Sequence, residues 1–170
     1  MARIPYVESE NAHWLTREIL ARRNNRNIHR MLGHSGPLAD AFVRLATTLR
    51  YESELDPALR EIAILRVGVL SGATYEVTAH RVHARAAGLS DRQIAAVEAG
   101  EADSAALTLL QQGVMRFTDD VVANVRASDA TFQPLQGALA PRSLVELVVA
   151  IGFYMAACRF LETFDIDVHT

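Results

Sequence analysis

Apolar side chains recur every three or four positions along most of the chain, a spacing that predicts helices rather than strands. Leu38, Phe42 and Leu45, for example, follow one another at helical spacing, and a similar apolar stripe runs through residues 104–125. No segment alternates apolar and polar residues in the manner of a strand. The pattern therefore predicts an all-α fold of about six to eight helices, preceded by an extended arm over residues 1–10.

Capping residues set the predicted ends of several helices. Asp56 is placed as an N-cap before Pro57, and Gly88 and Gly100 are placed to end later helices. The predicted helices span residues 11–23, 37–49, 57–71, 73–87, 90–100, 104–125 and 141–164, with a brief helix from 129 or 131. The polar stretch 24–35 is predicted to be irregular. No internal repeat or linker interrupts the pattern, so residues 1–170 are expected to form one domain.

The charge pattern excludes some classes of function. The net charge is −3, acidic and basic residues are mixed along the chain, and no basic block favours binding to nucleic acid. All 17 basic residues are arginine, so no lysine is available for Schiff-base chemistry.

The cysteine content and the apolar segments predict a cytoplasmic protein that does not enter the membrane. Cys158 is the sole cysteine, so the chain has neither an internal disulfide nor a CxxC redox pair. No signal peptide is recognised, which together with the single thiol favours a reducing compartment. The longest apolar run, residues 147–158, is shorter than the ~20 residues that span a bilayer, so it predicts a buried helix.

One cluster of polar residues is suited to proton transfer. Glu76, His80 and His83 follow one another at positions i, i+4 and i+7, which places them on one face of a predicted helix, and Tyr75 lies beside them. Glu61 lies near the start of the preceding helix, whose apolar pattern predicts burial. A carboxylate next to an imidazole raises its basicity and fixes its tautomer. Such a pair can remove a proton from carbon or return one.

The same residues also have other interpretations. A Glu–His pair four residues apart is often a surface pair, and His83 is also explained as a structural or exposed residue. Glu61 is also explained as a first-turn acid that the helix dipole favours, and Tyr75 as a packing residue. A third interpretation is a metal site with Glu76, His80 and His83 as ligands, although the HExxH string of zinc proteases is absent.

Longer strings of the sequence resemble a known family. Residues 55–67, LDPALREIAILRV, resemble the LDPRLRELAILRV helix of carboxymuconolactone decarboxylase-like proteins. Residues 71–80, SGATYEVTAH, resemble their TGAEYEWxxH segment, and residues 84–91, ARAAGLSD, resemble the segment that follows it. The likeness extends to residues 27–35 and 152–161, so nearly the whole chain resembles the carboxymuconolactone decarboxylase and alkylhydroperoxidase D (AhpD) superfamily.

The resemblance implies an AhpD-like helical fold whose subunits assemble, commonly as trimers or hexamers. The peroxidase branch of this superfamily uses a glutamate, a CxxC pair and a histidine. The glutamate corresponds to Glu61 and the histidine to His80, whereas the two cysteines correspond to Ala73 and Glu76. Cys158 matches neither cysteine position, so the chain resembles a branch without the cysteine pair, and thiol peroxidase activity is not expected.

The sequence thus predicts a cofactor-independent lyase or isomerase, decarboxylase-like in its chemistry, that acts on a small carboxylated or lactone-like molecule. His80 is predicted to donate or accept the proton. Glu61 is predicted to orient the His80 imidazole and Glu76 to tune its basicity, and Tyr75 and His83 are predicted to bind the substrate. No metal and no cofactor is expected. A non-catalytic oligomeric binding or scaffold protein is the alternative, and a metal-dependent enzyme using Glu76, His80 and His83 is the further alternative.

Overall fold

Every regular element in the computed structural model, which describes residues 2–24 and 26–168, is helical. A short 3-10 helix, Ser9–Asn11, follows the non-helical positions 2–8 of the predicted arm. The α-helices of the described residues are α1 Trp14–Arg22, α2 Asn27–Leu32, α3 Gly36–Tyr51, α4 Pro57–Leu70, α5 Thr74–Ala86, α6 Asp91–Ala99, α7 Leu109–Asn124, α8 Asp129–Ala138 and α9 Pro141–Thr163. The predicted all-α fold is confirmed.

Helix α2 was not predicted, and it raises the number of α-helices in the described part of the chain to nine. The prediction that residues 24–35 are irregular is therefore wrong. The helix is only six residues long, and its buried apolar side chains are Ile28, Met31 and Leu32. Their i, i+3, i+4 spacing is helical, but polar neighbours on both sides hide so short a stripe.

Helix α7 begins later than the predicted residue 104 because Thr108 caps it. The Thr108 hydroxyl accepts a hydrogen bond from the Gln111 backbone N–H, and the Gln111 side chain accepts one in return from the Thr108 backbone N–H. This reciprocal capping box satisfies two backbone donors at the helix start and fixes the first turn at Leu109.

Contacts divide the chain into two units. One consists of the described residues up to Glu52 together with those from Phe160 onward, and within it α1, α2 and α3 pack together. The other is Ser53–Arg159, in which α4 contacts α5, α6 and α7, and α7 contacts α8. The single domain expected over residues 1–170 stays a prediction.

Helix α4 lies at the centre of the Ser53–Arg159 unit. Its predicted N-cap is confirmed, because the Asp56 carboxylate accepts hydrogen bonds from the backbone N–H groups of Ala58 and Leu59 at 2.9 and 3.1 Å. Burial affects nearly every face of the helix, as its apolar pattern predicted, and its fully buried apolar residues include Ile62, Ala63, Ile64, Leu65 and Val67. The charged residues Arg60 and Glu61 of this helix are therefore buried as well.

Helix α9 is long and apolar enough, by length and composition alone, to cross a membrane. Half of its most apolar stretch is buried inside the structure. Leu147, Ala150 and Ile151 are fully buried, whereas Val145 and Val148 on another face are exposed. A core helix of a helical fold has this one-sided burial, so the predicted buried helix accounts for the apolar run.

Candidate proton-transfer site

Helices α4 and α5 form a hairpin with a close approach near its turn. Gly72 turns the chain with a φ of 65°, and the backbone N–H of Ala73 donates to the Gly68 carbonyl at 2.9 Å. A Cβ on Gly68 would lie only 3.2 Å from Cγ2 of Val77 and 3.5 Å from Cβ of Glu76. The absence of a side chain at Gly68 therefore lets α5 lie against α4, which brings the polar face of α5 toward the start of α4.

The hairpin places His80 between two carboxylates. Nδ1 of His80 lies 2.7 Å from Oε2 of Glu61 on α4, and Nε2 lies 3.1 Å from Oε2 of Glu76 one turn earlier on α5. All three residues are buried, with exposed fractions of 4% for His80, 2% for Glu61 and 5% for Glu76. The structure thus brings together the three residues predicted to be catalytic, and the surface-pair interpretation of Glu76 and His80 is wrong.

This geometry favours the protonated imidazole. A neutral imidazole has a single N–H and can donate to only one acceptor, whereas an imidazolium donates from both nitrogens. Burial lowers the pKa of His80, but the hydrogen bonds and negative charges of Glu61 and Glu76 outweigh that effect and raise the pKa from 6.5 to about 9. His80 therefore holds its proton at neutral pH.

A second buried cation adjoins this group. Arg60 is 6% exposed, and its Nε lies 3.8 Å from Oε1 of Glu61, the oxygen that does not face His80. Two cations thus alternate with the carboxylates of Glu61 and Glu76. Buried charges are tolerated when they are paired in this way, because each partner replaces part of the hydration that the other has lost.

Aromatic rings surround the imidazole. The Tyr154 ring of α9 stands edge-on to that of His80, with centroids 4.8 Å apart and planes at 84°. The half-buried His83 ring lies 5.3 Å from the His80 ring at 68°. Tyr75 is buried at the start of α5. The substrate-binding roles of Tyr75 and His83 stay predictions.

The family match covers the hairpin that carries this cluster. The Carboxymuconolactone decarboxylase family matches residues 36–120, which contain Glu61, Glu76 and His80. The chain belongs to the carboxymuconolactone decarboxylase family. Tyr154 lies beyond the matched residues. No curated protein matches the chain.

Solved structures share the fold of this carboxymuconolactone decarboxylase family protein. The AhpD core of an uncharacterised peroxidase-related protein from Ralstonia eutropha JMP134 has a TM-score of 0.84 and 17% identity, over 99% of this chain and 92% of that one. An uncharacterised peroxidase-related protein from Silicibacter sp. TM1040 has a TM-score of 0.78 and 14% identity, over 91% and 83%. A protein of unknown function from Agrobacterium tumefaciens, described as a candidate antioxidant defence protein AhpD, has a TM-score of 0.74 and 21% identity, over 82% and 95%. The AhpD-like fold is confirmed.

The metal-dependent alternative has no support from the geometry of this family member. Within residues 2–24 and 26–168, no three side chains of His, Cys, Asp or Glu are grouped so that they could hold a metal ion. Both nitrogens of His80 face carboxylate oxygens, so neither is turned toward a shared centre with Glu76 and His83.

Sequence reasoning missed two residues of the cluster, Arg60 and Tyr154. Arg60 carried a usable signal, since it is a charged residue next to Glu61 in a helix predicted to be buried. Tyr154 carried none, because an aromatic residue in an apolar helix is most often a packing residue, and only the tertiary structure brings it to His80.

Proposed function

We propose that this carboxymuconolactone decarboxylase family protein is a cofactor-independent lyase or isomerase for a small carboxylated or lactone-like molecule. The proposed reaction moves a proton to or from a carbon next to a carbonyl group. The observation that carries the proposal is the buried imidazole of His80, which lies within hydrogen-bond distance of two carboxylates. Such a group stores a proton close to neutral pH and can exchange it through either carboxylate.

The roles predicted from the sequence for His80 and Glu76 are exchanged in this proposal: Glu76 exchanges the proton with the ligand, and His80, which was predicted to do so directly, holds the proton in reserve. Both N–H groups of the imidazolium donate to carboxylates, so the ring presents no lone pair to a substrate. A carboxylate oxygen of Glu76 is a base that can accept a proton from carbon, and a proton passed on from His80 makes Glu76 an acid. Glu61 holds the ring in place from the other side.

Two reactions fit this arrangement. In an isomerisation of a compound with a carbon–carbon double bond beyond the acidic carbon, Glu76 removes the proton from the carbon between the carbonyl and that double bond, and the electron pair spreads over both as a dienolate. The proton then returns to the far carbon of the original double bond, and the double bond moves next to the carbonyl. In a decarboxylation, the bond to the departing carboxylate breaks, carbon dioxide leaves, and the electron pair is held as an enolate. That enolate takes a proton from the Glu76–His80 pair, and water restores the proton afterwards.

Thiol peroxidase chemistry is not part of the proposal, although two of the structural neighbours are named as peroxidase-related. The superfamily's peroxidases need a nucleophilic and a resolving thiol, and the corresponding positions here are Ala73 and Glu76. The sole cysteine, Cys158, is buried on α9.

Solvent deuterium exchange tests the proposal without requiring the natural substrate. Carbon acids with a carboxylate or a lactone ring are incubated with the protein in deuterium oxide, and proton NMR follows loss of the signal beside the carbonyl. We expect the wild-type chain to accelerate exchange for at least one compound. His80→Gln and Glu76→Gln should each slow it about 100-fold or more. His34→Gln, which alters an exposed histidine, is the matched control and should exchange at the wild-type rate.

Equal rates for wild type and both site variants would contradict the catalytic proposal. Binding of a panel compound with no exchange at all would favour the alternative, in which the protein is an oligomeric binding or scaffold protein that retained the fold without the chemistry.

A homo-oligomer in the cytoplasm completes the proposal. Within the Ser53–Arg159 unit, α9 exposes Val145, Val148 and Val149, with exposed fractions of 62%, 43% and 40%. Neighbouring apolar residues exposed on one helix face are typical of a surface that another subunit covers. Light scattering after size exclusion should give the mass of a trimer or hexamer, and Val148→Glu should lower it. A monomeric wild type would contradict this part.

A further inference from the structure

Arg60 is a buried cation with an unsatisfied hydrogen-bond donor. Its side chain is 8% exposed, and its Nε is buried without a hydrogen-bond partner among the described residues. The carboxylate of Glu61 is 3.8 Å away, which is beyond hydrogen-bond reach. A buried charged donor without an acceptor is costly, so such a group in a folded protein calls for an explanation.

Arg66, six residues later on the same helix, shows how α4 satisfies an arginine whose side chain is 11% exposed. Its Nε and Nη2 donate to the two carboxylate oxygens of Asp119 on α7 at 2.5 and 3.3 Å, and its Nη1 donates to the Val97 carbonyl at 3.3 Å. The planar guanidinium thus meets a planar pair of oxygens, which is the geometry it prefers. Arg60 has comparable burial but lacks this oxygen pair.

The position of Arg60 connects it with proton transfer. The same Glu61 carboxylate approaches Nε of Arg60 through Oε1 and Nδ1 of His80 through Oε2. Among the charged groups of the cluster, His80 is bound on both sides, whereas Arg60 retains an unused donor. An anion that bound Arg60 would therefore lie beside the group that handles the proton.

We propose that Arg60 binds a carboxylate group of the ligand, an inference that rests on the proposed function of the Glu61–His80–Glu76 cluster. A carboxylate supplies the coplanar pair of oxygens that Asp119 supplies to Arg66, and Nε would gain its missing acceptor. The substrate class is thereby narrowed to organic anions, and a neutral lactone or ester is disfavoured. Arg60 fixes the ligand, so that the reacting carbon is held close to Glu76.

Matched charged and neutral probes test this assignment. Acetate, acetoacetate, 4-oxopentanoate and succinate are titrated into the protein up to tens of millimolar, beside methyl acetoacetate and inorganic phosphate, and binding is followed by calorimetry. We expect at least one carboxylate to bind, and acetoacetate to bind about tenfold or more tightly than its methyl ester. Arg60→Met should weaken carboxylate binding by the same factor and leave ester binding unchanged. Arg92→Met, at an exposed arginine of α6, should bind as wild type does.

Arg60→Lys keeps the positive charge but loses the planar pair of donors, so partial retention of carboxylate binding is expected. It also serves as the test variant if Arg60→Met does not fold. The assignment is overturned if no carboxylate binds to wild type, if Arg60→Met or Arg60→Lys binds carboxylates as tightly as wild type does, or if phosphate alone binds.

The deuterium-exchange assay separates this inference from the proposed function. Carboxylate binding that depends on Arg60 but gives no exchange would support the binding site and contradict the catalysis. Exchange that Arg60→Met leaves unchanged would support the catalysis and contradict the role of Arg60.

Discussion

Replacing His80 with glutamine should change how the stability of the protein depends on pH. The pKa of His80 is about 9 in the folded chain and 6.5 as the ordinary value. The folded state thus holds this proton more tightly than the unfolded state does. The proton therefore stabilises the fold fully below pH 6.5, and this stabilisation is lost as the pH rises through about 9. The pKa difference between 6.5 and about 9 corresponds to about 1.4 kcal/mol per pKa unit. It therefore limits the contribution of this proton to the free energy of unfolding to roughly 3 kcal/mol.

Urea unfolding at several pH values between about 6 and about 10 measures this change in the free energy of unfolding. The free energy of unfolding of the wild type should fall by up to roughly 3 kcal/mol more than that of His80→Gln over this range. His34→Gln should follow the wild-type curve, because His34 is exposed and far from the cluster in sequence. Parallel curves for wild type and His80→Gln would refute the tightly held proton.

Three further predictions concern other parts of the chain. Burial and the charges of Arg23 and Arg26 lower the pKa of His29 to about 4, so stability present above pH 6.5 should be lost toward pH 4, and His29→Leu should flatten this acid limb in urea unfolding. Asp56→Ala removes the N-cap of α4 and should cost about 1 kcal/mol by the same measurement, whereas no loss would contradict its capping role. Gly68→Leu should cost about 1–3 kcal/mol through overpacking of the hairpin and shift the His80 NMR signals; unchanged signals would show that the close approach does not position the site.

Local signals explain which helices were predictable. The Asp56 cap depends on neighbours within one helical turn. Gly100 directly follows α6, and Gly88 follows Ala87, the C-cap of α5; both glycines have a positive φ. Such features depend only on residues that are close together in the sequence. Helix α2 is too short to display its periodicity. The start of α7 was missed although its signal is also local, since Thr108 and Gln111 form a capping box three residues apart. The sequence therefore indicates helices of nine residues or more, such as α6, and misses the six-residue helix α2.

The candidate site divides in the same way. The spacing of Glu76 and His80 follows from helical geometry, and the apolar pattern of the preceding helix, together with the family resemblance, points to Glu61. Which carboxylate faces which nitrogen depends on how α5 packs against α4, and no spacing rule supplies that. The contact of Tyr154 with His80 and the unsatisfied donor of Arg60 are likewise tertiary, because each depends on the surroundings of a side chain and not on its neighbours in sequence.

Nitrogen-15 NMR of the His80 side chain tests the central claim most directly. If the ring bridges two carboxylates as an imidazolium, both of its nitrogens carry protons at neutral pH, and the titration midpoint lies at about 9. A ring that is neutral at pH 7, with a midpoint at or below 6.5, would contradict the claim.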